Sequence, residues 1–325
     1  MITRINIARL RGIEHGEVPS LAGLSILVGP NGCGKSSVLD ALLIGASPTP
    51  GDAIGRAVRR RVEVRFGHAW LRWRGGTSAE MEVSVDGIAA FDTTRVWQSD
   101  VNALTAVTLR GGVAVSPEVT VRFDPDNNYQ RPAGTRDAPF VRLIESAPGA
   151  MHAPLPAIYA DARLAGGVAF VDDVLGELLS GYRRLEILSD PDNQSVLYID
   201  RETGLVPVAL SGEGVAALIR TLLELAMCRS GGLALLEEPE IHQHPRTLRL
   251  MAQGICQAVK RGVQVVLTTH SLELIEDLLF FADRTELLDQ TAVHLVRLRD
   301  HALTATRVDG ATARFQLNEI GEDLR

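Results

Sequence analysis

One run of eight residues constrains this chain more than any other: Gly29-Pro30-Asn31-Gly32-Cys33-Gly34-Lys35-Ser36. It matches G-x-x-x-x-G-K-[ST] in full. Before it, Leu24–Val28 (Leu-Ser-Ile-Leu-Val) is a short apolar run that predicts a buried strand. After it, Ser36–Ile44 predicts an apolar helix, stopped by the two prolines and the glycine of Ser47–Gly51. Glycines between a strand and a helix let backbone N–H groups curl around a phosphate, and the helix N-terminus adds positive potential. Lys35 is then placed to reach the β- and γ-phosphates of a nucleotide, and the Ser36 hydroxyl to ligate Mg²⁺. Asn31, Gly32, Cys33, Gly34, Lys35, Ser36 and Ser37 form the candidate nucleotide-binding set. Lysine is nearly avoided elsewhere: of 33 basic residues, only Lys35 and Lys260 are lysines.

The rest of the composition narrows the class. With 325 residues, 46% hydrophobic and 22% charged, usage is that of a globular protein and not of a disordered or collagen-like chain. The net charge of −7 means that a polyanion would need a local basic patch. Three cysteines (Cys33, Cys228, Cys256) with no CxxC spacing argue against a disulfide framework or a zinc ribbon and fit a reducing compartment. Met1–Arg11 alternates apolar and charged residues without the apolar core of a signal peptide, and no run approaches the roughly 18–20 apolar residues of a membrane span. The expectation is a soluble, cytoplasmic protein.

Periodicity predicts one α/β domain in three parts. In the first, residues 1–58, an opening strand ends at Gly12 and the P-loop unit follows. In the second, residues 59–156, period-two alternation from Arg59 to about Phe123 predicts an antiparallel sub-sheet turning at Gly75-Gly76, Asp86-Gly87 and Gly111-Gly112. A long polar loop then covers Asp124–Pro156. In the third, residues 157–325, a strand begins at Ala157–Tyr159, a helix covers Val168–Leu185, a strand Val196–Ile199 and a helix Gly212–Met227. Two apolar strands, Leu233–Leu236 and Val263–Leu267, each precede a helix (Pro245–Lys260 and Leu272 to about Phe281), which implies a parallel core sheet. The tail reads as a closing hairpin, His294–Leu298 with Leu303–Val308.

Three further motifs sit at element ends. Leu233–Leu236 runs into Glu237-Glu238-Pro239-Glu240, an apolar strand ending in two carboxylates, as a Walker B strand does. Glu237 is the candidate on the Mg²⁺ side, and Glu238 is the candidate base that polarises the attacking water. A strand merely capped by solvated glutamates is the bland alternative. Leu267-Thr268-Thr269-His270-Ser271 ends the next strand, with His270 as the candidate γ-phosphate contact or a structural histidine. Leu210-Ser211-Gly212-Glu213-Gly214 precedes a helix; Ser211 and Gly212 offer either an anion site at free N–H groups or a simple N-cap.

The order of these motifs resembles the ABC-type ATPases of the RecF/SMC/OLD branch, close to the stand-alone AAA15 and AAA_21 ATPases of bacterial defence systems. Ile5-Asn6-Ile7-Ala8-Arg9-Leu10-Arg11-Gly12-Ile13 is similar to that branch's opening strand and Arg-Gly turn. Glu238-Pro239-Glu240-Ile241-His242-Gln243-His244-Pro245 is similar to its EPE-x-H-x-HP stretch, and Ile158-Tyr159-Ala160-Asp161-Ala162-Arg163 to its Y-I-x-A-x-R strand. The resemblance implies an ATPase head using ATP and Mg²⁺ that forms a head-to-tail homodimer or higher homo-oligomer, with Ser211 and Gly212 acting in trans. Two departures stand out. The signature lacks the Gly-Gly-Gln ending of transporters, and Glu237 replaces the usual Asp.

The function that follows is an ATP-driven sensor, switch or scaffold for a separate effector, such as a nuclease, in anti-phage defence. A RecF-like DNA-repair ATPase is the alternative, and the nucleotide-binding subunit of a transporter fits the motifs less well. The stretch after His270 is too short for an appended nuclease, so the effector is expected on another chain. Arg56, Arg59, Arg60, Arg61 and Arg65 form the densest basic cluster, a candidate contact for nucleic acid or a protein-docking face. Gln98 is a candidate Gln-loop residue. Cys33 reads as a small filler of the loop, and His242 and His244 with Glu240 as a turn and not a metal site.

Overall fold

The computed structural model describes residues 1–61, 63–75, 80–130, 141–145 and 153–317. Alternating apolar and charged side chains carry the chain out as β1 (Arg4–Leu10), and a turn at Arg11-Gly12 returns it as β2 (Ile13–Val18), with Ile5 opposite Val18. β3 (Leu24–Val28) is buried at all five positions and leads through the glycine-rich turn into α1 (Lys35–Gly45). The prolines that stop α1 also start α2 (Pro50–Arg59), since a proline in the first turn gives up no helical hydrogen bond.

An antiparallel wing follows: β4 (Glu80–Asp86), β5 (Thr93–Asp100), β6 (Ala103–Arg110), β7 (Val113–Ala114) and β8 (Val119–Arg122). Next come β9 (Val141–Glu145), α3 (Leu155–Leu164) and α4 (Val168–Leu178). A three-stranded antiparallel sheet comprises β10 (Tyr182–Ser189), β11 (Ser195–Arg201) and β12 (Gly204–Pro207). The remainder is α5 (Glu213–Ala226), β13 (Leu233–Glu237), α6 (Pro245–Lys260), β14 (Gln264–Thr268), α7 (Leu272–Arg284), β15 (Thr291–Arg299), β16 (Ala302–Asp309) and α8 (Gly310–Phe315).

The large sheet runs β7-β6-β5-β4-β1-β2-β16-β15-β3-β14-β13-β9, with β8 paired to β6. Its segment β15-β3-β14-β13-β9 is parallel, and the wing is antiparallel. The closing hairpin β15–β16 joins the two parts by inserting between β3 and β2. Alternation splits the core. Leu24, Ile26, Ala234, Leu236, Val265 and Leu267 face one side, under α3 to α7. Leu27, Leu233, Leu235 and Val266 face the other, where α1 and α2 lie. The Gln264 side chain ties distant segments together: its Nε2 donates to Ile2 O (2.7 Å) and Ala22 O (3.0 Å), and its Oε1 accepts from Ile2 N (2.8 Å).

Local sequence misled at several places. Ala157–Tyr159 is helical, within α3: Pro154 caps it, and Ile158, Tyr159 and Ala162 form its buried stripe. The predicted helix over Val168–Leu185 ends at Leu178, and Tyr182 already pairs in β10. The long loop holds β9, which gains its strand state by running parallel to β13, with Glu145 level with Glu237. β2 was not anticipated, because only its two ends are apolar. The alternation at 59–66 is not a strand; Arg59 closes α2, and Val62 lies outside the described residues. Within α2, Gly55 is needed for close packing: a Cβ there would lie 2.2 Å from Tyr129 Cε2. Of the predicted hairpin turns, Gly76 lies outside the described residues.

Candidate nucleotide site

The parallel strands β3, β14 and β13 are neighbours, so their C-terminal ends place Gly29, Thr269-His270 and Glu237-Glu238 along one edge of the sheet. That edge is where ligands bind in open α/β sheets. At the first end, the loop turns at Gly29 (φ 144°), where a Cβ would lie 2.5 Å from Val296 O and 2.9 Å from Cys33 Sγ. The Lys35 side chain is buried; its Nζ donates to Gly29 O (2.8 Å) and Pro30 O (3.2 Å). Gly34 caps α1 without a side-chain hydrogen bond, which leaves first-turn N–H groups for an anion. Asn31 and Gly32 are exposed, Ser36 and Ser37 half-buried, and Cys33 is buried.

At the second end, Glu238 adopts a left-handed φ of 43°. This breaks the strand alternation at a cost of order 1 kcal/mol. The Glu238 amide donates to Thr268 O (3.0 Å) and to Thr268 Oγ1 (3.2 Å), and Glu238 Oε1 lies 3.7 Å from His270 Nε2. Glu240, two residues on, accepts from the Thr269 hydroxyl (2.7 Å) and the His270 amide (2.8 Å) on the same oxygen. Sequence reasoning did not give Glu240 this role; the signal was its place in Glu-Pro-Glu, where the proline turn carries it back over β14.

Glu237 has different company. Its Oε2 pairs with Arg60 Nη2, and its Oε1 lies 3.4 Å from Arg61 Nη2. The Arg60 side chain is 1% exposed and also meets Asp40 (3.2 Å) and Glu145 (3.3 Å). Arg11 closes the cluster through Asp40 at 2.6 Å. Burial alone would lower the Arg60 pKa, but Asp40, Glu237 and Glu145 outweigh it and hold the guanidinium above its ordinary value. Burial pushes the neighbouring Arg56 below its ordinary value, and its Nη2 donates to Leu143 O at 3.4 Å. The basic cluster is therefore not a solvated patch. Arg56 and Arg60 face inward, because carboxylates from three separate elements await Arg60. Arg65, by contrast, is exposed, 3.7 Å from Asp126.

Ser211 and Gly212 lie apart from the P-loop, at the start of α5. The Ser211 hydroxyl donates to Val208 O (2.6 Å), so it does not cap the helix, whose N-cap Gly212 makes no side-chain hydrogen bond. Glu213 Oε2 lies 3.7 Å from His242 Nδ1, which links this turn to the one after β13. Beside Arg11 and Gly12, a cleft of about 670 Å³ opens, bordered by Arg61, Val64, Trp70 and Trp73. The alternation pattern had read Trp70 as a strand residue; it is 54% exposed, with the Arg74 guanidinium 4.5 Å from its ring centroid. Gln98 is exposed on β5, accepting from Arg72.

The donor chemistry fits Mg²⁺: the Ser36 hydroxyl and the Glu237 carboxylate are hard oxygen ligands. Among the described residues no group of three or more His, Cys, Asp or Glu is arranged to hold a metal, so phosphate oxygens and water would have to supply the remaining ligands.

The model of the AAA_21 family, described as "AAA domain, putative AbiEii toxin, Type IV TA system", matches residues 113–276, half of the chain. The match takes in Ser211, Glu237, Glu238 and His270. The chain belongs to the AAA_21 family. An uncharacterized protein of Methanocaldococcus jannaschii, MJECL11, is 39% identical over 115 residues, 35% of this chain and 98% of that protein. The DNA replication and repair protein RecF of Magnetococcus marinus is 33% identical over 81 residues, 24% of this chain and only 19% of RecF. The Smc head domain with an extended coiled coil, bound to the C-terminal domain of ScpA and derived from Pyrococcus furiosus, superimposes with a TM-score of 0.56 at 13% identity over 99% of both chains. An Smc head bound to the C-winged helix domain of ScpA gives 0.55 at 12%, over 96% of this chain and 99% of that one. This AAA_21 member is an ABC-type ATPase of the RecF/SMC class, with the α/β P-loop fold expected from sequence. No helix among its described residues is long and apolar enough to cross a membrane.

Proposed function

We propose that this chain binds and hydrolyses ATP, dimerises head-to-tail around it, and through that cycle switches a separate effector in a defence system. The observation that carries the reading is the meeting of the P-loop, with Lys35 already curled into it, and the Glu238–His270 pair along one sheet edge. Lys35 exchanges the carbonyls of Gly29 and Pro30 for the β- and γ-phosphates. The ammonium thus keeps oxygen partners throughout and is never left uncompensated in its buried seat. Glu238 accepts the proton of the attacking water. His270, held by Glu240 at its backbone, donates from Nε2 toward the γ-phosphate. Ser36 and Glu237 would hold the Mg²⁺, which neutralises phosphate charge when bound.

Dimerisation draws support from the signature turn. The N-terminus of α5 is uncapped, Gly212 is exposed, and the neighbouring Leu210 is 77% exposed, an apolar side chain at a polar helix end that a partner head would cover. The family description names a toxin of a toxin–antitoxin system, which favours a defence role over a transporter. The Smc heads of the same fold are bound to ScpA, which fits a head that works through another protein. The RecF likeness keeps DNA in view as a ligand, but the inward-facing Arg60, held by carboxylates, leaves fewer charges of the basic cluster for it. The test is ATP binding and turnover by the purified chain, with Lys35→Ala and Glu238→Gln as controls. No nucleotide binding by the wild type would overturn the reading.

A further inference from the structure

We propose that Arg60 is a latch on the Walker B carboxylate: it holds Glu237 in competition with the cation that accompanies the nucleotide, so Mg²⁺ must displace a guanidinium to engage this site. The inference rests on the nucleotide reading above and adds to it how the site is regulated.

The geometry is specific. Both oxygens of Glu237 face guanidinium groups, Oε2 that of Arg60 and Oε1 that of Arg61. Arg60 follows α2 directly and its side chain is out of solvent. It has two other carboxylates to lean on, Asp40 on α1 and Glu145 at the end of β9. A guanidinium with three carboxylate neighbours can release one and stay compensated; a buried guanidinium with a single partner cannot. Asp40 lies one and a half turns after Lys35 on the same helix, so the latch is anchored on the element that would carry the phosphates. A divalent ion at Glu237 would sit beside the positive charge of Arg60, and like charges at that range repel. Cation and arginine therefore compete for one carboxylate. Glu145 tunes the contest, because it competes with Glu237 for the same guanidinium.

This arrangement predicts opposite effects from two neutralising substitutions. Arg60→Gln removes the competitor and lowers the Mg²⁺ concentration that half-saturates nucleotide tightening, by about fivefold or more. Glu145→Gln leaves Arg60 with fewer alternatives, strengthens its hold on Glu237, and raises that concentration. Arg61→Gln shifts it downward as Arg60→Gln does, by less, and carries the test should Arg60→Gln fail to fold. A merely structural role moves all the variants the same way, toward weaker binding.

The experiment titrates Mg²⁺ into the full chain with a fluorescent ATP analogue, and repeats the titration with Mn²⁺ read by electron paramagnetic resonance of the free ion. Shifts of opposite sign for Glu145→Gln and the arginine variants support the latch. Unmoved half-saturation, or shifts of one sign, overturns it. A control titration in EDTA separates the two readings: an analogue bound without cation but with unmoved Mg²⁺ dependence sinks the latch alone, whereas no binding under any condition sinks the nucleotide site and the latch with it.

Discussion

The Glu240 carboxylate accepts the backbone N–H of His270 at 2.8 Å, from a turn that begins on the neighbouring strand. The Thr269 hydroxyl reaches the same oxygen at 2.7 Å, so one side chain fixes the two residues that follow β14. Glu240→Ala should therefore lower kcat by about tenfold to a hundredfold, as a misplacement of about 1 Å does, with little change in KM. Glu240→Gln keeps an acceptor oxygen and should retain most activity. Steady-state phosphate release by both variants checks this, and equal losses would show that charge, not position, matters.

Lys35→Ala removes the cation of the phosphate loop. Nucleotide affinity should fall by at least about tenfold, the loss expected for a charge-assisted hydrogen bond. Isothermal titration calorimetry with ATP and Mg²⁺ measures it directly. Unchanged affinity would mean that phosphate is held elsewhere.

Glu238→Gln preserves the shape of the strand end and removes the base. Turnover should drop by about 10²–10⁴, while ATP binding survives and the ATP-bound assembly accumulates. Light scattering with and without ATP and Mg²⁺ reads the mass; cross-linking between Ser211 and the P-loop of the opposite head covers a constitutive oligomer. No ATP-dependent change by either method counts against the head-to-tail arrangement.

His294 supplies a pH test that involves none of the motif residues. It is fully buried on β15, opposite Arg307, and neither ring nitrogen has a hydrogen-bond partner among the described residues. Burial first, and Arg307 second, push its pKa down to about 4. The folded protein then binds this proton less readily than the unfolded chain, whose histidine titrates near about 6.5. Stability from this residue is complete above that value and is lost as pH falls from there toward 4, by up to about 3 kcal/mol. Urea unfolding at pH 7.5 and pH 5 should show the loss, and His294→Leu should flatten it.

The parts of this fold that could be read from sequence are those whose burial is complete and local. β3, β13 and β14 are mostly apolar runs, and each hands over to its helix at a glycine, proline or serine signal. The signature helix and the closing hairpin announce themselves the same way. β9 could not be seen, because Val-Arg-Leu-Ile-Glu becomes a strand only in register with β13, some ninety positions later. α2 hid behind Gly51 and Gly55, poor helix formers in isolation, one of which makes room for Tyr129. In the candidate site, the placing of Lys35, Glu238 and His270 at the ends of neighbouring strands was legible from motif spacing. The company of Glu237 was not: a run of arginines reads as solvated until Asp40, Glu145 and Glu237 are brought around Arg60 from three directions.

The strand that carries the phosphate loop has late-arriving neighbours. β3 is hydrogen-bonded on one side to β14 and on the other to β15, whose residues come off the ribosome more than 230 positions later. Until both arrive, β3 has two bare edges and Gln264 is not there to bind Ile2 and Ala22. Contacts so distant along the chain must meet the entropy of closing a long loop before they repay it, and they form slowly. A nascent or truncated chain thus holds the complete phosphate-loop sequence without a pocket. On the nucleotide reading proposed above, ATP can reward only a molecule in which β14 and β15 are already in place.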